Sequence, residues 1–432
     1  MNVLDFSTPR PELYASVNSD NEGLLSVNVT SDTTNLPIDG AQVQITYNGE
    51  PDRILEETTT NSLGQIQPLS LSAPPVEYSM EPGANKPYAE YTISISAPGF
   101  EPFRISGAEV FSGETAIQNA SLLPISPPIS GDTELFVIPD HTLWGDYPPK
   151  IAEDEIKPIG EFGEIVLSRV VIPEYIVVHN GPPSDRSAKD YYVPYRDYIK
   201  NVASSEIYST WPEATLEANI LAIQSFTLNR VFTEWYRNKG YDFTITSSTA
   251  YDHKWIPNRN IFESISNVVD EIFSNYLSRP GVIQPILTQY CDGKNVTCPN
   301  WMSQWGSKAL GDRGYTAIEI LHNYYGSSLF INSTDVISGI PSSYPGYPLE
   351  VGSSGDKVRQ MQAQLNVISD AYPLIPKLVE DGIFGPATEN AVKTFQRIFN
   401  LTQDGIVGFR TWYKISEIYV AVSRIAEGVA RS

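Results

Sequence analysis

The sequence predicts a multidomain protein. An N-terminal all-β sandwich precedes a central α+β domain built on a long helix, and a three-helix module ends the chain. Three observations predict this. Apolar and polar residues alternate with period two from Gly23 to about Leu123. Helical spacing replaces the alternation after Tyr198. Beyond Ser338 a glycine-turn sequence occurs twice, each time ahead of a helix signal. The expected divisions are a lead at 1–22, the sandwich at 23–124, a linker or pro-segment at 125–172, the central domain at 173–337, and a linker with its module at 338–432.

Composition narrows the function classes. The chain has 432 residues, with 51 acidic against 29 basic side chains and a net charge of −22. Nucleic-acid binders draw most of their affinity from basic faces that meet phosphate, and nothing here supplies one. Anionic membranes are disfavoured for the same reason. A neutral or mixed-charge polymer such as glycan stays open. No stretch approaches the ~20 apolar residues of a membrane span. The start MNVLDFSTPRPELYASVNSD lacks a basic region and an apolar core, so the expectation is no secretory signal.

In the first domain, LLSVNVT and AQVQITY alternate apolar and polar around the turn-rich SDTTNLPIDG, and EYTISISAPGF repeats the pattern. The pieces LPIDGAQVQI, TTTNSLGQI and YTISISAPGFEP resemble the carboxypeptidase regulatory-like, or transthyretin-like, domains. That resemblance implies an accessory domain without chemistry. LLPISPPISGD reads as a Pro-rich linker, and residues 133–172 as a polar tether rather than a core.

The central domain opens with a helical stripe in YRDYIKNVASSEI. Pro212 fits the first turn of a second helix. The pattern carries that helix to a stop at Gly240, about 42 Å on. YDFTITSS and PILTQY read as strands, and TAIEILHNYYG as a helix closed by Gly326. In the module, DGIFGPAT begins at Asp381 and DGIVGFRT at Asp404. Val358, Met361 and Leu365 form one stripe; Val392, Phe395 and Phe399 form another. The run VGSSGDKVRQMQAQLN … DGIFGPATENAVKTFQ … LTQDGIVGFRTW resembles the three-helix peptidoglycan-binding module of wall hydrolases, which implies a wall glycan or peptide as partner.

One residue breaks the pattern of the first central helix. Ile199, Val202, Ala203 and Glu206 fall on one face, with Lys200, Asn201, Ser204 and Ser205 on the others. Desolvation and the negative end of a helix both disfavour an ionised carboxylate there. General-acid cleavage of a glycosidic bond needs such a group. The bland alternative is a helix-end Glu that turns to solvent or pairs with a cation.

The stretch YIKNVASSEIYSTWPEATLEANILAIQSFTLNR resembles the signature of the stage II sporulation D type lytic transglycosylases, and WMSQWGSKALGDRGYTAIEILHNYYG resembles a second block of that family. The resemblance implies that Glu206 is the catalytic acid. This chain departs from the family at Ile207 and Tyr208, where Met-Pro is usual, and at Gln224, where an Arg is frequent. Together with PEYIVVHNGPP and the domain order, the whole resembles the clostridial spore cortex-lytic enzymes. That implies cortex peptidoglycan as substrate and storage as an inactive precursor. It also implies activation by a germination protease, and deposition in the cortex or coat region of the spore by the mother cell without a signal peptide. Domain order further suggests that the N-terminal 170 residues inhibit or chaperone the enzyme, with a cut near Glu164 to Arg169.

A lytic transglycosylase works with one carboxylate, whereas a hydrolysing muramidase normally needs two. Asp242 and Asp252 are candidates for a second. Tyr251, Tyr290, Gln304 and Trp305 are candidates for substrate contact, weighed against ordinary core or loop roles. Cys291 and Cys298 do not match the spacing of common zinc sites, so free thiols or a local disulfide are expected, and neither metal nor cofactor is assigned. A non-catalytic wall-binding protein is the rival of another class. An amidase that cuts the stem peptide is disfavoured because no His/Glu zinc site is evident, and the HExxH motif of zinc peptidases is absent.

Overall fold

The computed structural model describes residues 21–32, 36–83, 85–125, 134–143, 148–158, 167, 169–296, 298–334, 347–399 and 401–423. These form two compact units. The first takes the chain up to Trp144 together with Tyr208–Trp211 and Pro257–Ser266; the second takes the rest. Among the described residues no helix is long and apolar enough to cross a membrane.

The first unit contains two sheets. Its strands are β1 (Glu22–Ser31), β2 (Gln42–Tyr47), β3 (Ile54–Thr59), β4 (Leu69–Ser72), β5 (Ala89–Ser96), β6 (Phe103–Val110), β7 (Thr115–Leu122) and β8 (Glu134–Val137). One sheet runs β3-β2-β5-β6-β8; β7, β1 and β4 are neighbours in the other. Alternation decides which side chains are inside: Leu25, Val27 and Val29 of β1 and Ile93 and Ile95 of β5 are buried. Two features depart from the sequence reading. Residues 134–137, expected to be linker, pair in parallel with β6. A two-residue strand from the middle of the chain, Ile261–Phe262, pairs with β7 at Ile117 and Ala116.

That central segment anchors a buried ionic cluster. The Arg259 guanidinium donates to both carboxylate oxygens of Glu109, at 3.3 and 2.5 Å. His141 Nδ1 lies 3.1 Å from the same carboxylate. Burial alone would raise the Glu109 pKa, but the Arg259 and His141 charges overcome it and hold the carboxyl down at about 2. Tyr208 packs on Phe111 and His141, and the Trp211 indole N–H donates to the Ser79 carbonyl.

In the second unit, strands β9 (Tyr175–His179) and β10 (Asp190–Pro194) form a hairpin that feeds helix α1 (Tyr195–Glu206). Helix α2 (Glu213–Phe232) is buried almost throughout, as an apolar helix without one dominant face should be. It is shorter than its pattern suggests. It ends at Phe232, and just beyond it Glu234 takes a positive φ of 45° and pairs with Arg237. Gly240 instead closes a 3₁₀ turn at Arg237–Lys239. Helix α3 (Glu263–Glu271) is divided between the units at Ser266, while α4 (Gln304–Gly311) and α5 (Ala317–Tyr325) belong wholly to the second, and Thr316 with Glu319 forms a capping box on the last.

The C-terminal residues contribute α6 (Asp356–Ala371), α7 (Pro386–Ile398) and α8 (Phe409–Ser423) around their own core, which includes Val358, Met361, Leu365, Val392, Phe395 and Trp412. The repeated turns are held alike. Gln362 donates to Asp381 and to the Ile383 carbonyl while accepting from Gly382 N–H. Gln396 does the same for Asp404, Ile406 and Gly405. Gly382 and Gly405 have φ of 74° and 77°, which an L side chain rarely adopts.

Candidate functional site

Glu206 is the last residue of α1. Ile207 turns to extended backbone, and its N–H closes the helix on Ala203. The helix is buried on more sides than its pattern implies: Lys200, Asn201, Ser204 and Ser205, expected away from the apolar face, are buried too. Glu206 itself is only half-buried.

Two groups orient its carboxylate. Lys254 N–H donates to Oε1 at 2.7 Å. The Gln304 amide donates to the Glu206 carbonyl at 2.9 Å and reaches Oε2 at 3.4 Å. Gln304 can do this because it opens α4, whose first turn is capped by Ser303 accepting from Gly306 N–H. Lys254 is set by its neighbours. His253 Nδ1 lies 3.0 Å from the Tyr198 hydroxyl, and the His253 ring stacks on Tyr290 with centroids 5.9 Å apart. Burial pushes the His253 pKa well below the usual histidine range, and the Lys150 and Arg230 charges push the same way. Burial, and then the Glu206 charge, raises the Tyr290 hydroxyl well above its usual range.

The structure therefore brings Glu206 and Gln304 into contact and places Tyr290 where the Glu206 charge is felt. Trp305 follows Gln304 on α4 and is buried. Tyr251 is half-buried, and its carbonyl accepts from Arg230. The Tyr251 side chain makes no hydrogen bond to Glu206 among the described residues.

Asp252, a candidate second carboxylate, is fully buried and saturated. It accepts from Arg230 Nε at 2.7 Å, the Tyr236 hydroxyl at 2.6 Å, and the Thr246 N–H and hydroxyl at 2.9 and 2.7 Å. Asp242 is half-buried. Cys291 and Cys298 form a disulfide directly after Tyr290. Among the described residues no group of three or more His, Cys, Asp or Glu side chains could hold a metal ion. Most of the stretch suggested for an activating cut, 164–166 and 168, lies outside the described residues.

Lys150 is the residue that sequence reading missed. Its ammonium donates to the Asp252 carbonyl at 2.9 Å and lies 4.4 Å from the centre of the Tyr290 ring. It comes from the stretch read as a tether, yet that stretch is fastened to the second unit. Ile151 N–H donates to Ala250, and Glu153 N–H to Gln289. Glu153 pairs with the buried Arg230, and Glu155 with Arg279. No periodicity in DYPPKIAEDE could have shown this.

Residues 354–415 match the putative peptidoglycan binding domain family. Over 71 residues the chain is 44% identical to a zinc D-Ala-D-Ala carboxypeptidase of Streptomyces albus G, which is 16% of this chain and 26% of that protein. The chain thus spans about a quarter of that relative. It is 36% identical over 90 residues to an uncharacterised protein of the bpoA1 3′ region in Kitasatospora aureofaciens, covering 21% of this chain and 70% of the other. A solved structure of the SleB N-terminal domain is 29% identical, covering 17% of this chain and 93% of that one, with a TM-score of 0.15. The chain thus carries a C-terminal peptidoglycan-binding domain, the mark of a cell-wall-related protein.

Proposed function

We propose that the protein is a peptidoglycan lytic transglycosylase in which Glu206 serves first as acid and then as base. The observation that carries this reading is the orientation of one half-open carboxylate at the end of α1 by Lys254 N–H and Gln304, in a chain with a wall-binding module. Glu206 enters the reaction as the acid. It passes the proton to the glycosidic oxygen between muramic acid and glucosamine as the bond from that oxygen to C1 breaks. Glu206 then takes the proton of the muramyl C6 hydroxyl, which closes on C1. The product is a 1,6-anhydro end, and no water is consumed. The substrate's own hydroxyl, held in place, replaces a second protein nucleophile. Saturation of Asp252 supports this over a two-carboxylate muramidase.

By the sequence resemblance, the substrate is spore cortex and the protein is a cortex-lytic enzyme similar to clostridial SleC. On this reading it is laid down by the mother cell as a precursor and cut by a germination protease. Its first unit is an accessory domain of carboxypeptidase regulatory-like type. The test is mass spectrometry of glycan released from cortex by wild type and by Glu206→Gln, each after proteolytic activation. Anhydro ends from the wild type, with release at least ~100-fold slower in the variant, are expected. Reducing ends would overturn the transglycosylase reading, and undiminished release by Glu206→Gln would overturn the assignment of the acid.

A further inference from the structure

We propose that the groove covered by residues 150–157 is the stem-peptide subsite of the activated enzyme, with Arg279 as the residue that takes the peptide's carboxylate. This rests on the reading of the chain as a glycan-strand lyase stored as a precursor. Residues 150–157 lie along the segment 284–289 of the second unit. The Gln289 amide donates to the Ile151 carbonyl at 2.7 Å and accepts from Glu153 N–H at 2.9 Å. Leu287 N–H donates to the Glu155 carbonyl at 2.8 Å. Gln284 accepts from Lys157 N–H at 2.6 Å and donates to the Lys157 carbonyl at 3.3 Å. These are the contacts by which a domain holds an extended peptide.

The covering segment is fastened by polar contacts and not by a core. Ile151, Ala152, Asp154 and Ile156 are exposed, while Glu153 and Glu155 are half-buried and Lys157 is buried. Glu155 meets Arg279 with both carboxylate oxygens, at 2.7 and 2.8 Å. Glu153 meets Arg230 in the same way, at 3.0 and 2.5 Å. Buried apolar area is the dominant force that fixes a segment, and partly exposed ion pairs contribute little beside it. A cut beyond Lys157 lets such a segment leave.

Its departure strips two amides and one guanidinium of partners. Gln284 and Gln289 are both buried, so main-chain groups of another peptide are their natural replacement. Arg230 keeps Asp252, but among the described residues Glu155 is the only carboxylate paired with Arg279. Arg279 also donates to the Ser328 hydroxyl and the Tyr325 carbonyl, which hold its guanidinium in place. A planar guanidinium so held fits a carboxylate with two parallel bonds. Beside it opens a cavity of about 420 Å³ walled by Tyr276, Ile283, Phe330 and Asn332. A sugar lacks the paired N–H and C=O that Gln284 and Gln289 meet, whereas a short acidic peptide has them together with the carboxylate. In a wall polymer that peptide is the stem carried by the muramyl ring. The groove begins at the acid: Lys150 of the covering segment lies 4.4 Å from the centre of the Tyr290 ring, whose hydroxyl feels the Glu206 charge. From residue 150 to residue 155 an extended chain spans about 16 Å, the reach of a peptide of about five residues.

The experiment uses the full chain after proteolytic activation, with mass spectrometry of the purified product to show that residues 150–157 have left it. Cleavage is followed on three soluble substrates. The first is glycan bearing stem peptides, the second is the same glycan with the peptide carboxylates converted to methylamides, and the third is peptide-free glycan. Arg279→Met should raise KM about 10- to 100-fold on the first, as loss of a charged hydrogen bond implies, and far less on the other two. Arg279→Lys should recover part of the loss. A synthetic peptide of residues 148–158 should compete with the first substrate, and its Glu155→Gln form about 10-fold more weakly. That comparison uses the wild-type enzyme, so it decides the matter even where the Arg279 variants do not fold. An equal penalty on all three substrates, or none on any, overturns the proposal. So does equal competition by the two peptides, competition by neither, or an active enzyme that retains residues 150–157. Failure of the acid assignment would show separately, as an active Glu206→Gln enzyme.

Discussion

The side chain of Gln304 bonds to Glu206 twice, at its main-chain carbonyl and at its carboxylate, so one amide fixes both the end of α1 and the acid on it. Gln304→Ala frees the carboxylate without removing it. A fall in kcat/KM of roughly 10- to 100-fold is expected, the size typical of losing a supporting hydrogen bond at a working group. The unfolding midpoint should move little. Turbidity loss of cortex suspensions measures the rate, and an unchanged rate in a folded variant would mean that Gln304 does not position the acid.

The Glu109 cluster makes the first unit sensitive to acid. The carboxyl titrates at an ordinary value of 4.5 when unfolded and at about 2 when folded. A depressed folded pKa contributes stability that is present above the unfolded value and lost as pH falls through the folded one. The unit should therefore weaken between about pH 4.5 and pH 2, by up to roughly 3 kcal/mol. Glu109→Gln should flatten that slope and cost roughly 3–5 kcal/mol at neutral pH, because Arg259 is left buried without its anion. Denaturant titration followed by tryptophan fluorescence, with Trp211 in this unit, reads both effects.

The Cys291–Cys298 bridge closes a short loop beside Tyr290. For a loop of this size the chain-entropy relation gives about 2–3 kcal/mol of stabilisation. Changing both cysteines to serine should lower the stability of the second unit by that amount. Urea midpoints before and after the change decide it, and an unmoved midpoint would show that the bridge contributes nothing to the fold.

Gln396 holds the second DGI turn by a side chain that donates to Asp404 and Ile406 and accepts from Gly405. Gln396→Ala leaves the buried Gly405 N–H without its partner, at a cost of about 1–3 kcal/mol. Co-sedimentation with purified peptidoglycan near the module's melting temperature should fall, while binding in the cold is kept. Weakened binding at every temperature would instead show that the turn held by the buried Gln396 shapes the binding face.

The module and the first unit's strands were legible because their signals are local. A DGI turn demands glycine where φ is positive, and a period of two says which face of β1 is buried. The same logic placed Glu206 at a helix end. It overran α2, which ends at Phe232 ahead of a left-handed Glu234 that the helical pattern does not mark.

The sequence by itself determined the order of elements, the wall-binding module and an acid at the end of α1. Tertiary structure alone decided what surrounds that acid. It carried Arg259 and Tyr208 into the first unit, withdrew Asp252 into a saturated core site, and brought Lys150 from an apparent tether to the Tyr290 ring. The physical reason is that side-chain periodicity states which face of an element must be covered. It does not state which distant segment covers it, nor which charges meet once water is excluded.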